Sequence, residues 1–289
     1  MLYNISLSFE AMSTSKKNMV VKDFSVTGES FELQYEKERD LWRTEPIPNN
    51  LDRYYASSDY ISHTDAKRNL LEVLYAAVKR KNLRKKLQVI ENQKVKGKAL
   101  LDFGAGTGDF VKFAQLNGYD PIALEPNTLA SEKAKQKGLS VFNTLEQIKD
   151  RSFNVITLWH VLEHLPDLDG DIASLLSVLE DDGLLVIAVP NYKSWDARHY
   201  KTYWAAYDVP RHLWHFSRNS IRSIFEKQHC HVIKEIPMHY DAFYVSLLSE
   251  KYKGNFLRMP TAFLKGLNSN LHALFTGEYS SMIYLIQKK

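Results

Sequence analysis

The chain contains 289 residues, of which 44% are hydrophobic and 25% are charged, and its formal net charge is +4. This composition is typical of a globular protein with one substantial core, and so mild a charge does not by itself indicate nucleic-acid binding. The sequence contains no apolar run of the roughly 18 residues that a membrane-spanning helix needs, and its single cysteine, Cys230, excludes a disulfide framework.

The first part of the chain predicts little regular structure. Residues 1–12 lack the basic start and apolar centre of a signal peptide, so we expect a cytoplasmic protein. Short β-like runs before the Pro-Ile-Pro at 46–48 predict an N-terminal extension or small β lobe over residues 1–50, with one domain over 51–289. A helix capped by Thr64 or Asp65 follows, and we interpret the basic cluster at 79–86 as its solvated face.

From residue 99 onward, strand and helix patterns alternate. The predicted strands are 99–103, 119–124, 139–142, 154–159 and 183–189, and the predicted helices are 109–117, 127–137, 144–149 and 171–180. Residues 191–216 follow as a long aromatic stretch; then come a helix, a strand (231–236), a helical insertion near 241–275 and a last strand (279–287). This order predicts a Rossmann-like α/β fold, with a mostly parallel seven-stranded sheet covered by helices on both faces.

The first informative motif joins the first of these strands to its helix. Gly104, Gly106 and Gly108 follow the apolar strand directly, and glycines in such a turn let a ligand approach the main chain. A dinucleotide fingerprint would carry its third glycine where this chain has Asp109, and an acid there would oppose a pyrophosphate. A second acid, Glu125, ends the next strand, where an acid binds ribose hydroxyls in such folds.

The segment from Asp102 to Gly108 resembles the D-x-G-x-G-x-G motif of the class I S-adenosylmethionine-dependent methyltransferases, whose ligand brings no phosphate. A second stretch, 153–167, resembles the fourth strand and the following "hxLEHhxD" segment of the ubiquinone-biosynthesis-type methyltransferase superfamily. Relatives usually carry Asp where this chain has Asn154. Two other interpretations of the second stretch stay open. Residues 160–164 also fit the zinc motif H-x-x-E-H, and Glu163 and His164 could simply form hydrogen bonds within the core.

The third stretch, 190–217, interleaves aromatic residues with histidines and arginines. Its part from Asp208 to Ser217 resembles the "D-x-P-x-H-x-x-x-F-S" segment of a methyltransferase family of the same superfamily, methyltransferase domain family 23. After the fifth strand it would lie over the mouth of the site and form an aromatic pocket wall. Alternatively, the rings cover a sheet edge or stack on nucleobases. Relatives often hold zinc with paired N-terminal cysteines; this chain has none there, so we expect no metal.

The resemblance implies S-adenosylmethionine as cofactor and S-adenosylhomocysteine as product. The implied cofactor-binding residues are Tyr60, His63, Asp102, Gly104, Ala105, Gly106, Gly108, Glu125, Pro126, Leu145, Trp159 and His160. Histidine is the natural base near neutral pH, so the candidate catalytic residues are His212 first, then His164 and His215.

We therefore expect a methyltransferase that acts on a small-molecule acceptor, most simply an oxygen nucleophile, with no nucleic-acid partner and no membrane span. Three other functions stay open: methylation of RNA or protein, a non-catalytic cofactor-binding subunit, and an NAD-linked oxidoreductase. The sequence leaves the oligomeric state open.

Overall fold

The structure is a computed structural model that describes residues 18–55 and 70–289. In chain order the strands are β1 (Met19–Lys22), β2 (Ser30–Glu36), β3 (Leu41–Glu45), β4 (Ala99–Phe103), β5 (Asp120–Leu124), β6 (Val141–Phe142), β7 (Phe153–Trp159), β8 (Leu179–Pro190), β9 (Trp214–His215), β10 (Cys230–Pro237) and β11 (Ser281–Lys288). The helices are α1 (Leu70–Glu91), α2 (Asp109–Leu116), α3 (Thr128–Gln136), α4 (Leu168–Ser177), α5 (Trp195–Tyr200), α6 (Arg218–Lys227), α7 (Asp241–Tyr252) and α8 (Arg258–Thr276).

Seven strands form the main sheet in the order β10-β11-β8-β7-β4-β5-β6. Strand β11 runs antiparallel to both of its neighbours, and the other pairs are parallel. Apolar side chains such as Leu100, Ile156 and Val186 are fully buried because helices cover both faces of the sheet. The predicted α/β fold is confirmed, including the additional strand pair at the end of the chain.

Several predicted elements differ in length from the observed ones. Strand β8 begins at Leu179, four residues before the prediction, and α4 ends at Ser177. The predicted helix at 144–149 is a 3-10 turn over Leu145–Ile148. Residues 191–216 contain a short helix and a two-residue strand, which are too short for any periodic pattern to reveal.

A second, four-stranded antiparallel sheet has the order β1-β2-β3-β9. Its first three strands come from the N-terminal segment, while β9 comes from the third motif: Trp42 pairs with His215 and Arg43 with Trp214. The small N-terminal lobe is therefore present, and it is joined edge to edge to the aromatic stretch. The division of domains at residue 50 stays a prediction.

The buried guanidinium of Arg211 connects this small sheet to the third motif. Its Nη2 lies 3.0 Å from a carboxylate oxygen of Asp23 and 2.7 Å from one of Asp208, and its Nη1 donates to the carbonyl of Tyr54 at 2.9 Å. The Arg211 side chain is 2% exposed. A charge buried to this extent is stable only because acceptors surround it.

Helices α7 and α8 form an antiparallel hairpin between β10 and β11. Gly266 of α8 lies against Phe243 of α7, where a Cβ would come within 2.9 Å of the phenylalanine Cα atom. Within the described residues, no helix has the length and apolar character needed to cross a membrane.

We expect Asp23→Asn to lower the free energy of unfolding by about 3 kcal/mol, because Arg211 would lose one of its buried counter-charges. Urea unfolding measures the change. Asp181→Asn is the control, since this fully exposed residue forms only a surface ion pair with Lys288 at 3.3 Å, and we expect it to cost under about 1 kcal/mol. Equal, small losses for the two variants would show that the buried network contributes little.

Candidate active site

The glycine turn after β4 has an unusual backbone. Gly104, Gly106 and Gly108 have φ angles of 73°, 55° and 75°, in the left-handed region that favours glycine. The amides of Gly104 and Ala105 both donate to the carbonyl of Leu124, at 2.8 and 3.1 Å. These bonds fix the turn at the carboxyl ends of β4 and β5, where open α/β sheets bind ligands.

The three glycines meet different surroundings. A Cβ on Gly104 would come within 2.5 Å of Val161, and one on Gly108 within 2.4 Å of Leu139, so both positions are closed by packing. A Cβ on Gly106 would have no atom within 4 Å. Gly106 therefore borders open space, which leaves its main chain accessible to a ligand.

Glu125 lies at the end of β5 and faces this turn. One carboxylate oxygen accepts from the amide of Gly106 at 2.7 Å, and the other accepts from the amide of Asn127 at 2.8 Å. Burial raises the pKa of Glu125 despite these two hydrogen bonds. A buried carboxylate at this position can accept hydrogen bonds from ribose hydroxyls.

Asp102 lies on β4, beneath the turn, and is buried. It accepts a hydrogen bond from the Thr157 hydroxyl at 2.6 Å, and burial raises its pKa to about 6. Lys86 of α1 affects the pKa of Asp102 through its charge, and its ammonium lies 4.5 Å from the Trp159 ring centroid. The sequence analysis did not identify Lys86, because it placed the basic cluster on a solvated face.

Asp109, the residue that argues against a dinucleotide, forms two ion pairs. Its carboxylate lies 2.8 Å from the ammonium of Lys137 and 2.6 Å from that of Lys79. At least two members of the basic cluster, Lys79 and Lys86, therefore contact residues beside the glycine turn. For these two, the interpretation as a purely solvated face is wrong.

His160 follows β7 directly and has a φ of 59°. Its Nδ1 lies 3.4 Å from a carboxylate oxygen of Glu163, and its Nε2 lies 3.3 Å from one of Asp241, the first residue of α7. Burial alone would lower the pKa of His160, but the two carboxylates raise it to about 10. At neutral pH this ring is therefore a cation held between two acids.

Glu163 is the centre of a second cluster. Its carboxylate is fully buried and accepts no hydrogen bond within the described residues. One ring nitrogen each of His164 and His212 and one oxygen of Glu163 all lie within 4.8 Å of one another. Burial alone would raise the pKa of Glu163, but the ion pair with His160 and the neighbouring His212 hold it below its usual value. A carboxylate and two imidazoles are also the ligand types of a divalent metal, and the expected absence of a metal stays a prediction.

Backbone carbonyls fix the orientation of both histidine rings. Nδ1 of His164 lies 2.9 Å from the carbonyl of Arg211, and Nδ1 of His212 lies 2.8 Å from that of Ala206. Because a carbonyl can only accept, each Nδ1 carries the hydrogen and each Nε2 is left as the acceptor of the neutral ring. The two rings meet edge to face, with centroids 4.6 Å apart.

The three candidate catalytic histidines lie in different environments. Burial and the charge of His212 lower the pKa of His164 to about 4. Burial lowers the pKa of His215 well below its usual value, and its Nε2 lies 2.9 Å from the hydroxyl of Thr44. His164 and His215 are consequently neutral near pH 7 and poor proton acceptors, whereas the side chain of His212 is 12% exposed.

Val161, which was not predicted as a site residue, packs on Gly104, so the segment that bears Glu163 touches the glycine turn directly.

The remaining predicted site residues lie as follows. Ala105 is partly buried beside α2 and α3, Leu145 packs on the main core, and Pro126 is exposed. Tyr60 and His63 lie outside the described residues. Their roles, and those assigned above, stay predictions.

Two further contacts of the site were not predicted. The hydroxyl of Tyr55 lies 3.1 Å from Nδ1 of His164, and Asp241 pairs with His160 from 81 positions further along the chain. No motif in the sequence signals either contact. Thr157, by contrast, could have been found, because its position on β7 pairs in register with Asp102 on β4.

The strand order, the glycine turn and the acid at the end of β5 together define a class I methyltransferase. The model of the methyltransferase domain family 23 matches residues 75–235, more than half of the chain. The chain belongs to this family, so the resemblance found in the sequence is confirmed. The open space at Gly106 and the buried acceptor at Glu125 fit S-adenosylmethionine, the cofactor of the class.

The curated proteins that the chain resembles include ubiquinone biosynthesis O-methyltransferases. Two from Actinobacillus pleuropneumoniae, of serotype 5b (strain L20) and serotype 7 (strain AP76), are 32% and 31% identical over 110 residues. The match covers 33% of this chain and 47% of each relative. The chain therefore spans about half the length of the curated relatives it matches.

Solved structures share the fold at low identity. Magnesium protoporphyrin IX methyltransferase from Synechocystis PCC 6803, with bound S-adenosylhomocysteine, is 13% identical with a TM-score of 0.53, and the match covers 82% of this chain and 97% of that one. A putative sarcosine dimethylglycine methyltransferase from Galdieria sulphuraria is 15% identical with a TM-score of 0.51, covering 72% and 86%. At such identities the likeness supports the fold alone.

We expect Gly106→Ala to weaken S-adenosylhomocysteine binding at least tenfold, because the added methyl group would enter the open space beside the turn. Isothermal titration calorimetry measures the affinity. Gly118→Ala is a matched control: its φ is 84° and its Cβ would also have no atom within 4 Å, so the backbone strain is alike. Equal affinities in the two variants would place the ligand away from Gly106.

His160 predicts a pH dependence of stability. The pKa of His160 is about 10 in the folded protein, which is above its value in the unfolded chain. The contribution of His160 to the free energy of unfolding is therefore complete below about pH 6.5 and is lost as the pH rises toward 10. We expect His160→Asn, which tolerates the left-handed backbone, to destabilise the protein more at pH 6.5 than at pH 10. Urea unfolding at several pH values measures this, with the exposed His231→Asn as control. A loss that does not vary with pH would contradict the ion-pair assignment.

Proposed function

We propose that the protein transfers the methyl group of S-adenosylmethionine to an oxygen nucleophile of a small organic acceptor, with His212 as general base. The proposal rests on the cluster of Glu163, His164 and His212. This cluster begins two residues after Val161, which packs on Gly104. Methyl transfer to a hydroxyl group needs a proton acceptor in this part of a methyltransferase site.

Different residues of the chain would bind the cofactor and accept the proton. The sulfonium group of S-adenosylmethionine supplies the electrophilic methyl group when it is bound. Glu125 would accept hydrogen bonds from the ribose hydroxyls, and the main chain at Gly104 and Gly106 would face the methionyl end. Nε2 of His212 would take the acceptor's proton.

The charges around His212 support its role. Glu163 and Asp208, whose carboxylate oxygen lies 4.0 Å from Nε2 of His212, would stabilise the imidazolium that forms when His212 takes a proton. His164, whose pKa of about 4 keeps it neutral, lies beside both groups and does not compete for the proton. His160 is already protonated and serves as a counter-charge to Glu163.

One observation favours a small acceptor: the curated relatives are named O-methyltransferases, although this chain spans only about half of their length. A cavity of about 450 Å³ also opens between the small sheet and the aromatic stretch. Its lining includes Trp42, Tyr192 and Tyr207 together with four charged side chains, Lys193, Arg198, Lys201 and Glu278. Neither the glycine turn nor the cluster of Glu163, His164 and His212 contributes to this lining, so the cavity does not identify the acceptor.

The direct test uses S-adenosylmethionine labelled in its methyl group, with separate panels of phenols and catechols, hydroxylated sugars, small amines, total RNA and cellular proteins. We expect label in an acid-stable methyl ether of a small hydroxylated compound. Label in the RNA or protein fraction contradicts the proposal. Cofactor binding without transfer to any panel would favour the non-catalytic subunit.

With the best acceptor in hand, we expect His212→Ala to lower kcat by about 10² to 10⁴ and to leave the affinity for S-adenosylhomocysteine unchanged. His212→Asn should behave alike, because asparagine cannot take the proton. The exposed His231→Ala is the control for a histidine outside the site. Full turnover in His212→Ala would remove His212 from the base role.

A further inference from the structure

Helix α8 has its small residues inside and its large apolar residues outside. Ala262, Gly266, Ser269 and Ala273 are buried against the rest of the molecule. The opposite face is apolar and exposed, and with the preceding loop it forms a surface that we call the α8 face: Phe256, Leu257, Met259, Phe263, Leu264, Leu267, Leu271, Leu274 and Phe275. A surface helix in a globular protein normally has the reverse arrangement.

Specific contacts fix this orientation. The hydroxyl of Ser269 donates to the carboxylate of Asp196 at 2.7 Å, and Asp196 is fully buried. The close approach of Gly266 to Phe243 excludes a larger residue at position 266. The hairpin therefore cannot rotate to bury its leucines without breaking a buried hydrogen bond and opening the helix contact.

The exposure of the α8 face is large. Phe256 and Phe275, near its two ends, are 96% and 91% exposed, and Met259 and Leu274 are 66% and 67% exposed. Met259, Phe263, Leu267, Leu271 and Leu274 recur every three or four residues, so they share one side of the helix. Contiguous apolar surface of this kind marks an interaction site.

The charged residues within α8 and its flanking loops have one sign. Residues 251–277 contain four cationic side chains, Lys251, Lys253, Arg258 and Lys265, and no acidic residue. Lys253 and Arg258 are exposed, and Arg258 is the first residue of α8. The partner that complements this surface therefore combines an apolar interior with a negatively charged boundary.

We propose that the α8 face docks the protein on the surface of a bilayer containing anionic lipids. Phenylalanine and leucine on one face, with lysine and arginine at its border, are the features of a helix that lies in the plane of a membrane interface. The apolar side chains enter the boundary between headgroups and acyl chains, and the cations contact the lipid phosphates. The proposal is independent of the acceptor, since it rests on residues outside the site.

A second copy of the chain complements the α8 face less well than an anionic bilayer does. A two-fold symmetric contact brings the same patch of both copies together, so the cations of one copy would face those of the other with no acid between them. An anionic bilayer has the opposite charge. The hairpin also begins at Asp241, which pairs with His160, so the hairpin that bears the α8 face is in contact with the candidate site.

Co-sedimentation of the full chain with sonicated vesicles tests the proposal. We expect binding to vesicles of phosphatidylglycerol and phosphatidylcholine, at least tenfold weaker binding to phosphatidylcholine alone, and weaker binding at high salt. Met259→Glu combined with Leu274→Glu should reduce the affinity for anionic vesicles at least tenfold. Retained melting temperature and S-adenosylhomocysteine affinity would show that the variant is folded.

The matched control is Leu116→Glu combined with Val20→Glu. These residues are 73% and 61% exposed and lie outside the α8 face, so the net charge changes equally while the face stays intact. Equal losses of binding in both double variants would mean that net charge alone drives association and would overturn the proposal. A second outcome would also overturn the proposal: the parent chain binds no vesicles but forms a dimer in sedimentation equilibrium, and Met259→Glu combined with Leu274→Glu dissociates that dimer.

Discussion

The burial of one guanidinium is the constraint on which the site's geometry depends. Arg211 lies within the third motif with its ion pairs to Asp208 and Asp23 and its hydrogen bond to the carbonyl of Tyr54. Placing a charge in the interior is favourable only if all of these acceptors converge. The small sheet, the turn that follows it and the third motif are therefore held in one arrangement.

That arrangement sets the positions of the residues next to Arg211. Its carbonyl accepts from Nδ1 of His164, and the amide of Leu213 donates to the carbonyl of Glu163 at 2.7 Å. His212 lies between these two bonds, so its ring is fixed against His164. The N-terminal sheet, which contributes no motif of its own, thus supports the geometry of the candidate base through Asp23 and through Thr44, whose hydroxyl donates to the His212 carbonyl at 2.7 Å.

The sequence was sufficient to predict features that depend on residues close together in the chain. The glycine turn, Glu125 and the parallel strands follow from adjacent residues, and the structure agrees with them. The sequence could not predict contacts between residues that are far apart in the chain, such as Asp241 with His160 or the two-residue strand β9 with β3. Periodicity also predicted a helical insertion near 241–275 without indicating its buried side, because packing on Asp196 and Phe243, rather than hydrophobicity, decides which face of α8 turns inward.

The electrostatics around Glu163 explain why two neighbouring histidines differ in charge. His160 has two carboxylate neighbours and is protonated, with a pKa of about 10, whereas His164 is buried beside His212 and stays neutral, with a pKa of about 4. The buried carboxylate of Glu163 therefore has a protonated ring on one side and a neutral ring on another. A base beside this carboxylate would gain its positive charge next to a negative one, and this electrostatic environment is the physical basis of the proposal for His212.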